Sequence, residues 1–302
     1  MTHKTRRNLR NGLLFVSPWL LGFLALQVYP IFYSLRMSFT EYSGFNDMVN
    51  IGFKNFVDLF KDDLFWKSAY NTLYYTVLAV PIGVVVAIVL ALAMNQKVKE
   101  VPVYRAILYI PSILPVFALS LVWIVFLNPR FGLLNRMGGL LHIPRVDMLG
   151  DPTWTKFAIV MMAQLGAGGP ALIFLAGLRG VPAEMLESAQ IDGAGPIRRF
   201  FYITLPMITP VILYDIVLGL ALGLQVFTQA YIITSGPSGN GQGLAGPRNS
   251  LLFYVYYLYK IAFQYTRMGY ASALAWVLFI VSVILALSVF RWARTWVHYE
   301  NE

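Results

Sequence analysis

Long apolar stretches alternate with shorter polar segments along the chain. A bilayer core about 30 Å thick requires roughly 20 apolar residues per helix. Six stretches reach that length, and their composition predicts an all-α integral membrane protein with six transmembrane helices. The predicted spans cover residues 12–35, 70–94, 103–127, 157–178, 205–227 and 269–292.

Prolines interrupt several of the predicted spans. Pro81, Pro111, Pro115 and Pro170 each lack the backbone N–H that an α-helix uses as a donor. Neighbouring helices can satisfy the freed backbone groups inside a membrane protein, whereas an isolated helix would be destabilised. We therefore expect kinked helices that pack in a multi-helix bundle.

Residues 250–265 are apolar and aromatic but shorter than a span, and they include Lys260. We expect an external helix at the lipid headgroup level, where aromatic rings bury their bodies and hydrate their hydroxyls. A seventh span is the alternative, and it would place the carboxyl tail and residues 180–206 on opposite sides of the membrane. The tyrosines of this segment are Tyr254, Tyr256, Tyr257, Tyr259 and Tyr265.

Composition supports the membrane assignment and excludes several kinds of enzyme. Hydrophobic residues make up 58% of the chain and charged residues 12%, against about 25% charged in soluble domains. The chain has no cysteine, and its three histidines, His3, His142 and His298, lack the spacing of zinc ligands. No GxxxxGK[ST] phosphate-binding loop is present. We expect no catalytic residue, no metal site and no ATP site in this chain.

Basic residues favour one orientation in the membrane. Lys4, Arg6, Arg7 and Arg10 precede the first span, which we interpret as a retained anchor because no small-residue cleavage site follows it. Basic residues are denser in the short segments assigned to the inside than in the longer outside ones. Both termini are therefore predicted to be cytoplasmic. The predicted outside loops are residues 40–50, 128–152 and 235–249.

Residues 180–206 carry charged and helix-breaking residues between the fourth and fifth spans. Pro182 is suited to a first helical position, and Glu184 and Glu187 complement the positive end of a helix dipole. Gly193 can end this helix after roughly three turns.

A second short helix is predicted to follow at once. Pro196 begins it, and it carries Arg198 and Arg199. The segment is therefore predicted to form a compact helix-turn-helix between two membrane spans.

The same segment resembles the EAA loop of permease subunits from binding-protein-dependent ABC importers. The resemblance extends from the first span to the last and is strongest to the carbohydrate-uptake branch. Ser188 stands where the motif usually has its second alanine, a change between small residues that preserves close packing. The matching positions are Glu187, Ser188, Ala189, Gly193, Ile203, Leu205 and Pro206.

This resemblance implies the six-helix architecture of a type I ABC importer permease in the cell (inner) membrane. It also implies a second, homologous permease subunit, two cytoplasmic ATPase subunits that bind ATP and Mg²⁺, and an extracytoplasmic solute-binding protein. Membrane lipid is the remaining partner, and no nucleic acid is expected. The residues implied to couple to the ATPase are Glu187, Ser188, Ala189, Asp192 and Gly193.

The expected organisation has four parts. An amino-terminal cytoplasmic tail covers residues 1–11, and the first transmembrane helix covers residues 12–35. A permease core domain at 70–292 contains the coupling loop at 180–206. Residues 293–302 form a cytoplasmic tail.

Polar side chains within the spans are candidates for the substrate path, because ionisable groups against lipid are costly. Asp215 lies nine residues beyond Pro206, roughly 14 Å along a helix, and hence near the middle of the membrane. Hydrogen bonding between helices is the alternative role for each such residue. The other candidates are Gln164, Tyr214, Gln225 and Gln229, of which Tyr214 cannot share a helix face with Asp215.

The leading hypothesis is thus a permease subunit of an importer for mono- or oligosaccharides. An importer for another solute, such as glycerol phosphate or a polyol, is the nearest alternative. A carrier that acts alone is a further alternative. The lack of inverted repeats and the polar helix between the fourth and fifth spans argue against it.

Overall fold

The structure is a computed structural model that describes residues 3–96, 98–235 and 244–298. Parts of the predicted tails 1–11 and 293–302, and part of the predicted loop 235–249, lie outside the described residues. The chain divides into two units. One unit comprises Met1–Asp62 with Leu258–Phe279, and the other comprises Asp63–Tyr257 with Ile280–Glu302.

Helices make up most of the described chain, together with one small antiparallel hairpin of β1 (Thr40–Glu41) and β2 (Val49–Asn50). In chain order the α-helices are α1 (His3–Phe23), α2 (Tyr29–Ser38), α3 (Lys54–Phe60), α4 (Asp63–Met94), α5 (Val101–Ile113), α6 (Val116–Phe126), α7 (Leu133–Leu140), α8 (Pro152–Gln164), α9 (Gly168–Gly180), α10 (Ala183–Ile191), α11 (Pro196–Arg199), α12 (Leu205–Met207), α13 (Thr209–Gly223), α14 (Thr228–Ser235), α15 (Tyr254–Tyr259) and α16 (Met268–Ala293).

The first unit is built around the long amino-terminal helix. A π-helical turn at Leu24–Val28 joins α1 to α2, so the two helices form one continuous element. The buried side chain of Asn55 fixes α3 to the end of α2, because its Nδ2 donates to the carbonyl oxygens of Ser38 and Thr40, both at 2.9 Å. The unit thus holds a short hairpin and α3 at one end of the first span.

The second unit packs around α4, which contacts α8, α9 and α13. Its core includes the fully buried Phe174 and Ile208. Glycines bring α13 close to α4, since a Cβ added to Gly219 would lie 3.1 Å from Val80 and one added to Gly223 would lie 3.0 Å from Thr76. Small residues at such crossings are typical of membrane helices, which associate through close backbone approach.

Five predicted spans correspond to helical segments that are long and apolar enough to cross a membrane. These described segments are Arg10–Ser38, Asp63–Met94, Pro152–Gly180, Thr209–Ser235 and Met268–Ala293.

The third predicted span, 103–127, is broken. It consists of α5 and α6, which meet at an angle of 97°. Leu114 and Pro115 both have extended backbone, with ψ of 137° and 134°. Proline disfavours helical backbone in the residue before it, which explains the end of α5 at this point. The expectation of a kinked span is confirmed, but the bend is a full break.

The fourth and fifth spans also contain irregular turns. A 3₁₀ turn at Leu165–Ala167 separates α8 from α9. The fifth span begins at Thr209 and extends to Ser235, so the predicted bounds of 205–227 are shifted towards the amino terminus. Residues 224–227 separate α13 from α14 within it.

Residues 254–264 are helical, as predicted for this segment, and a place at the headgroup level stays a prediction. Helix α15 and the π-helical turn Lys260–Gln264 are short, and no seventh segment of spanning length lies there in the described chain. Tyr254, Tyr256 and Tyr257 are only 3–4% exposed, so they belong to the protein interior. The Tyr256 hydroxyl lies 2.7 Å from Thr234 Oγ1, and burial raises the pKa of this tyrosine.

Candidate functional site

The segment between α9 and α13 forms a bent connection, which we call the elbow and define as residues 182–204. Helix α10 begins after Pro182, one position later than predicted. Its C-terminal cap is Asp192. Gly193 ends the helix with φ of +81°, a left-handed conformation that glycine adopts without steric cost. The N–H of Gly193 donates to the carbonyl oxygen of Gln190 at 3.1 Å.

The second half of the elbow begins at α11, as predicted from Pro196. A π-helical turn at Phe200–Thr204 then leads into α12. One side chain crosses the bend: Nη1 of Arg199 donates to Oε1 of Gln190 at 2.9 Å. This pair leaves no signal in the sequence, because nine residues separate the two positions and no periodicity links them.

All five predicted coupling residues lie on α10 or in the turn that ends it. Glu187, Ser188, Asp192 and Gly193 are exposed, whereas Ala189 is half-buried. Leu186 of the same helix packs against the core of the second unit. Four of the five predicted residues are therefore accessible at the elbow.

Large apolar side chains extend this surface beyond the predicted residues. Ile191 is 87% exposed and Ile197 is 74% exposed. The guanidinium of Arg198 lies over the ring of Tyr202 at 5.9 Å, beside an open hollow of about 690 Å³. Clustered exposed apolar residues indicate a surface that contacts another molecule. Apolar residues were expected throughout this chain, so the sequence did not distinguish these from membrane-embedded ones.

The predicted substrate-path residues lie along the fourth and fifth spans. Gln164 is the last residue of α8, and its Nε2 donates to the carbonyl oxygen of Val160 at 2.9 Å. Its Oε1 is buried and has no hydrogen-bond partner in the described chain. Gln225 lies in the break after α13, and its exposed amide donates to Ala221 O of the same helix.

The other three candidates lie on α13 and α14. Tyr214 is exposed, whereas Asp215 and Gln229 are half-buried. Across the described residues, no hydrogen bond joins any two of the five candidates. A role in the substrate path stays a prediction for each of them. No group of three or more histidine, cysteine or acidic side chains suited to a metal occurs in the same described ranges.

Broken apolar helices around a packed core, with an exposed elbow between two of them, define a helical membrane protein. Residues 67–298 match the family described as binding-protein-dependent transport system inner membrane component. The chain belongs to this family, whose members are the membrane-spanning subunits of transport systems.

Similarity to individual proteins extends over nearly the whole chain. It is 35% identical to the probable ABC transporter permease protein YesP of Bacillus subtilis, over 96% of this chain and 93% of that protein. It is 30% identical to the lactose transport system permease protein LacF of Rhizobium radiobacter, with 94% of each chain covered.

Among solved structures, a bacterial alginate ABC transporter in complex with an alginate pentasaccharide-bound periplasmic protein contains a similar chain. The TM-score is 0.79 at 25% sequence identity, and 97% of this chain and 96% of that chain are covered.

Proposed function

We propose that this chain is the permease subunit of an ATP-driven importer that moves a sugar across the cell (inner) membrane. The family description names dependence on a binding protein. The lactose permease relative and the alginate transporter support a mono- or oligosaccharide as cargo, delivered by an extracytoplasmic solute-binding protein. The observation that carries the proposal is the exposed elbow, which offers a docking surface at the boundary of a membrane bundle.

Two cytoplasmic ATPase subunits supply the energy in this proposal, and they bind ATP and Mg²⁺ in place of this chain. Glu187, Ser188, Ala189, Asp192 and Gly193 make the contact with one ATPase subunit. The small side chains among them allow close approach, and the exposed apolar residues of the elbow add contact area. The elbow and both termini are then cytoplasmic.

Movement of the ATPase reaches the membrane spans through the packing of the elbow. Leu186, Phe200 and Ile203 contact the core cluster formed by α4, α9 and α13. Displacement of α10 therefore acts on helices that pack against one another. A second, homologous permease subunit completes the path, and the pair alternates between inward-facing and outward-facing states.

The substrate path in this proposal follows the polar residues of the fourth and fifth spans. Gln164 and Gln225 lie where helices break, and irregular backbone is tolerated at membrane depth where it lines a cavity or is buried in protein. Asp215, Tyr214 and Gln229 lie on the neighbouring helices α13 and α14. They would offer hydrogen bonds to sugar hydroxyls.

Reconstitution of the complete importer in vesicles tests the function. Vesicles that contain this chain, the second permease, the ATPase and the binding protein are expected to accumulate labelled oligosaccharide only with ATP. Uptake by this chain alone would contradict the proposal. A tag at the elbow is expected to be accessible only from the ATPase side of the vesicle.

Charge reversal at the elbow tests the docking surface. Glu187→Lys is expected to abolish co-purification of the ATPase while membrane insertion remains normal, because the surface would present the opposite charge to the same cleft. Glu100→Lys is the matched control, since Glu100 is exposed in the connection between α4 and α5, away from the elbow in sequence. Equal ATPase recovery with both variants would argue against docking at the elbow.

A further inference from the structure

The bend between α10 and α11 is weakly constrained by its own backbone. Residues 192–195 connect the helices and include Gly193 and Gly195. A Cβ added to either glycine would meet no atom beyond its chain neighbours within 4 Å, so the bend lies in open space. The hydrogen bonds that close α10, such as Ala194 N–H to Ala189 O at 2.9 Å, do not reach α11.

The side chain of Arg199 supplies the missing connection. It extends back from the end of α11 to the last turn of α10, where its Nη1 donates to Gln190 Oε1 at 2.9 Å. Its Nε is buried, so this end of the guanidinium lies against the protein, whereas the bond to Gln190 lies at the surface. A guanidinium is planar and holds its donors in a fixed geometry, which restricts the relative orientation of the two helices it joins.

Arg199 also lies at the junction between the elbow and the core. The next residue, Phe200, packs against the core cluster, whereas α10 contacts that cluster through Leu186. A force applied to α10 can therefore pass to the spans through the covalent chain, the Leu186 contact and the Arg199 hydrogen bond. Loss of the hydrogen bond removes this side-chain link across the bend and leaves the backbone at Gly193 and Gly195 to set its angle.

We propose that Arg199 is a positioning residue, which fixes the angle of the elbow through Gln190 so that movement of α10 is transmitted to the membrane helices. The transmission step rests on the proposed function, whereas the effect on the elbow angle does not. Arg199 itself need not touch the ATPase or the cargo.

A distance measurement tests the angle without any partner. The chain has no cysteine, so the paired substitutions Ile191→Cys and Ile197→Cys introduce the only two sites for spin labels, both at exposed positions. We expect a narrow distribution of label distances that broadens with Arg199→Ala and with Gln190→Ala. Arg198→Ala is the matched control, because it removes the same charge from a side chain that lies over Tyr202 and does not cross the bend.

The width of the label-distance distribution decides whether the Arg199–Gln190 bond fixes the elbow angle. Broadening with Arg199→Ala and Gln190→Ala but not with Arg198→Ala supports the proposal. An unchanged distribution with Arg199→Ala, or equal broadening with Arg198→Ala, overturns it. Because Gln190 is exposed, its alanine variant is expected to fold even if Arg199→Ala does not, and it gives the same test.

Coupling in the complete importer tests the consequence. Arg199→Ala and Gln190→Ala are each expected to lower the sugar transported per ATP hydrolysed about fivefold, the factor for losing a hydrogen bond of ordinary strength. The double variant is expected to be no worse than either single one, since both remove one interaction. ATPase co-purification should stay unchanged throughout.

Additive losses in the double variant, or normal coupling in both single variants, would overturn the positioning role. Failure of the unmodified importer to recover ATPase would instead overturn the proposed function, while the distance measurement would still stand. The two failures are therefore distinguishable.

Discussion

Two connections between helices of the second unit differ in where their apolar side chains lie. In residues 244–257, which we call the pinned segment, Leu251, Leu252 and Phe253 are completely buried. In the elbow, Ile191 and Ile197 are largely exposed. The apolar side chains of the pinned segment are covered by their own chain. The elbow presents apolar area that only another molecule would cover.

Side chains of α4 explain why the pinned segment is buried. Asn71 Nδ2 donates to the carbonyl oxygens of Asn249 at 2.8 Å and Leu252 at 3.0 Å, and Thr72 Oγ1 accepts from Tyr254 N–H at 2.8 Å. Buried backbone groups need such partners, because water cannot reach them. In the elbow, the side-chain bond across the bend joins Arg199 to Gln190 at the surface. The pinned segment is thus tied to the core, whereas the elbow is the surface that we propose for partner contact.

Phe253→Ala is expected to show the largest effect. It should lower the free energy of unfolding by about 3–5 kcal/mol, because it leaves a cavity in a filled core. The substitution would also remove the edge-on contact between the rings of Phe253 and Tyr75, whose centroids lie 5.7 Å apart. Denaturant unfolding of the purified chain in detergent measures the change.

Phe201→Ala applies the same substitution to the exposed elbow. We expect a loss of about 1 kcal/mol, the value of its edge contact with Phe200. Equal losses at the two positions would contradict the distinction between the pinned segment and the elbow.

Asn71→Ala is expected to have the next largest effect. The carbonyl oxygens of Asn249 and Leu252 would lose their donor, at a cost of about 2–4 kcal/mol in the free energy of unfolding. Gln225→Ala is the control, since that amide is exposed and bonds only to its own helix. A change of similar size in the control would show that the loss is not specific to the pinned segment.

Gly193→Ala is expected to have a small, local effect. A left-handed conformation costs a residue with a side chain about 1–2 kcal/mol. The Ala194 amide should therefore exchange its hydrogen about 5–30 times faster. Gly195→Ala, at φ of −66° and with open space around it, should leave the exchange rate unchanged. Equal acceleration by both substitutions would mean that the φ of Gly193 is not the constraint.

Continuous apolar runs made most spans predictable. The sixth span was expected at 269–292 and lies at Met268–Ala293, because a bilayer-length helix leaves a signal in composition alone. The elbow was predictable for a different reason, since Pro196 and Gly193 act through local backbone geometry. Both features depend on neighbours in sequence.

Features that depend on distant contacts could not be predicted. Tyr256 is buried because Thr234 and Phe227 pack around it. The aromatic composition of its segment also suits a membrane surface. Asn71 lies in an apolar helix, and its neighbours in sequence do not indicate that it binds backbone carbonyl groups of residues 249 and 252. The break at residues 224–227 contains no proline or glycine, and Gly223 before it is accounted for equally by its packing against Thr76 of α4.

A crosslinking measurement at the elbow tests the central claim most directly. A photoreactive group in place of Ile191, in the assembled importer, is predicted to capture an ATPase subunit. Capture of lipid or of the second permease alone, with no ATPase product, would contradict the account.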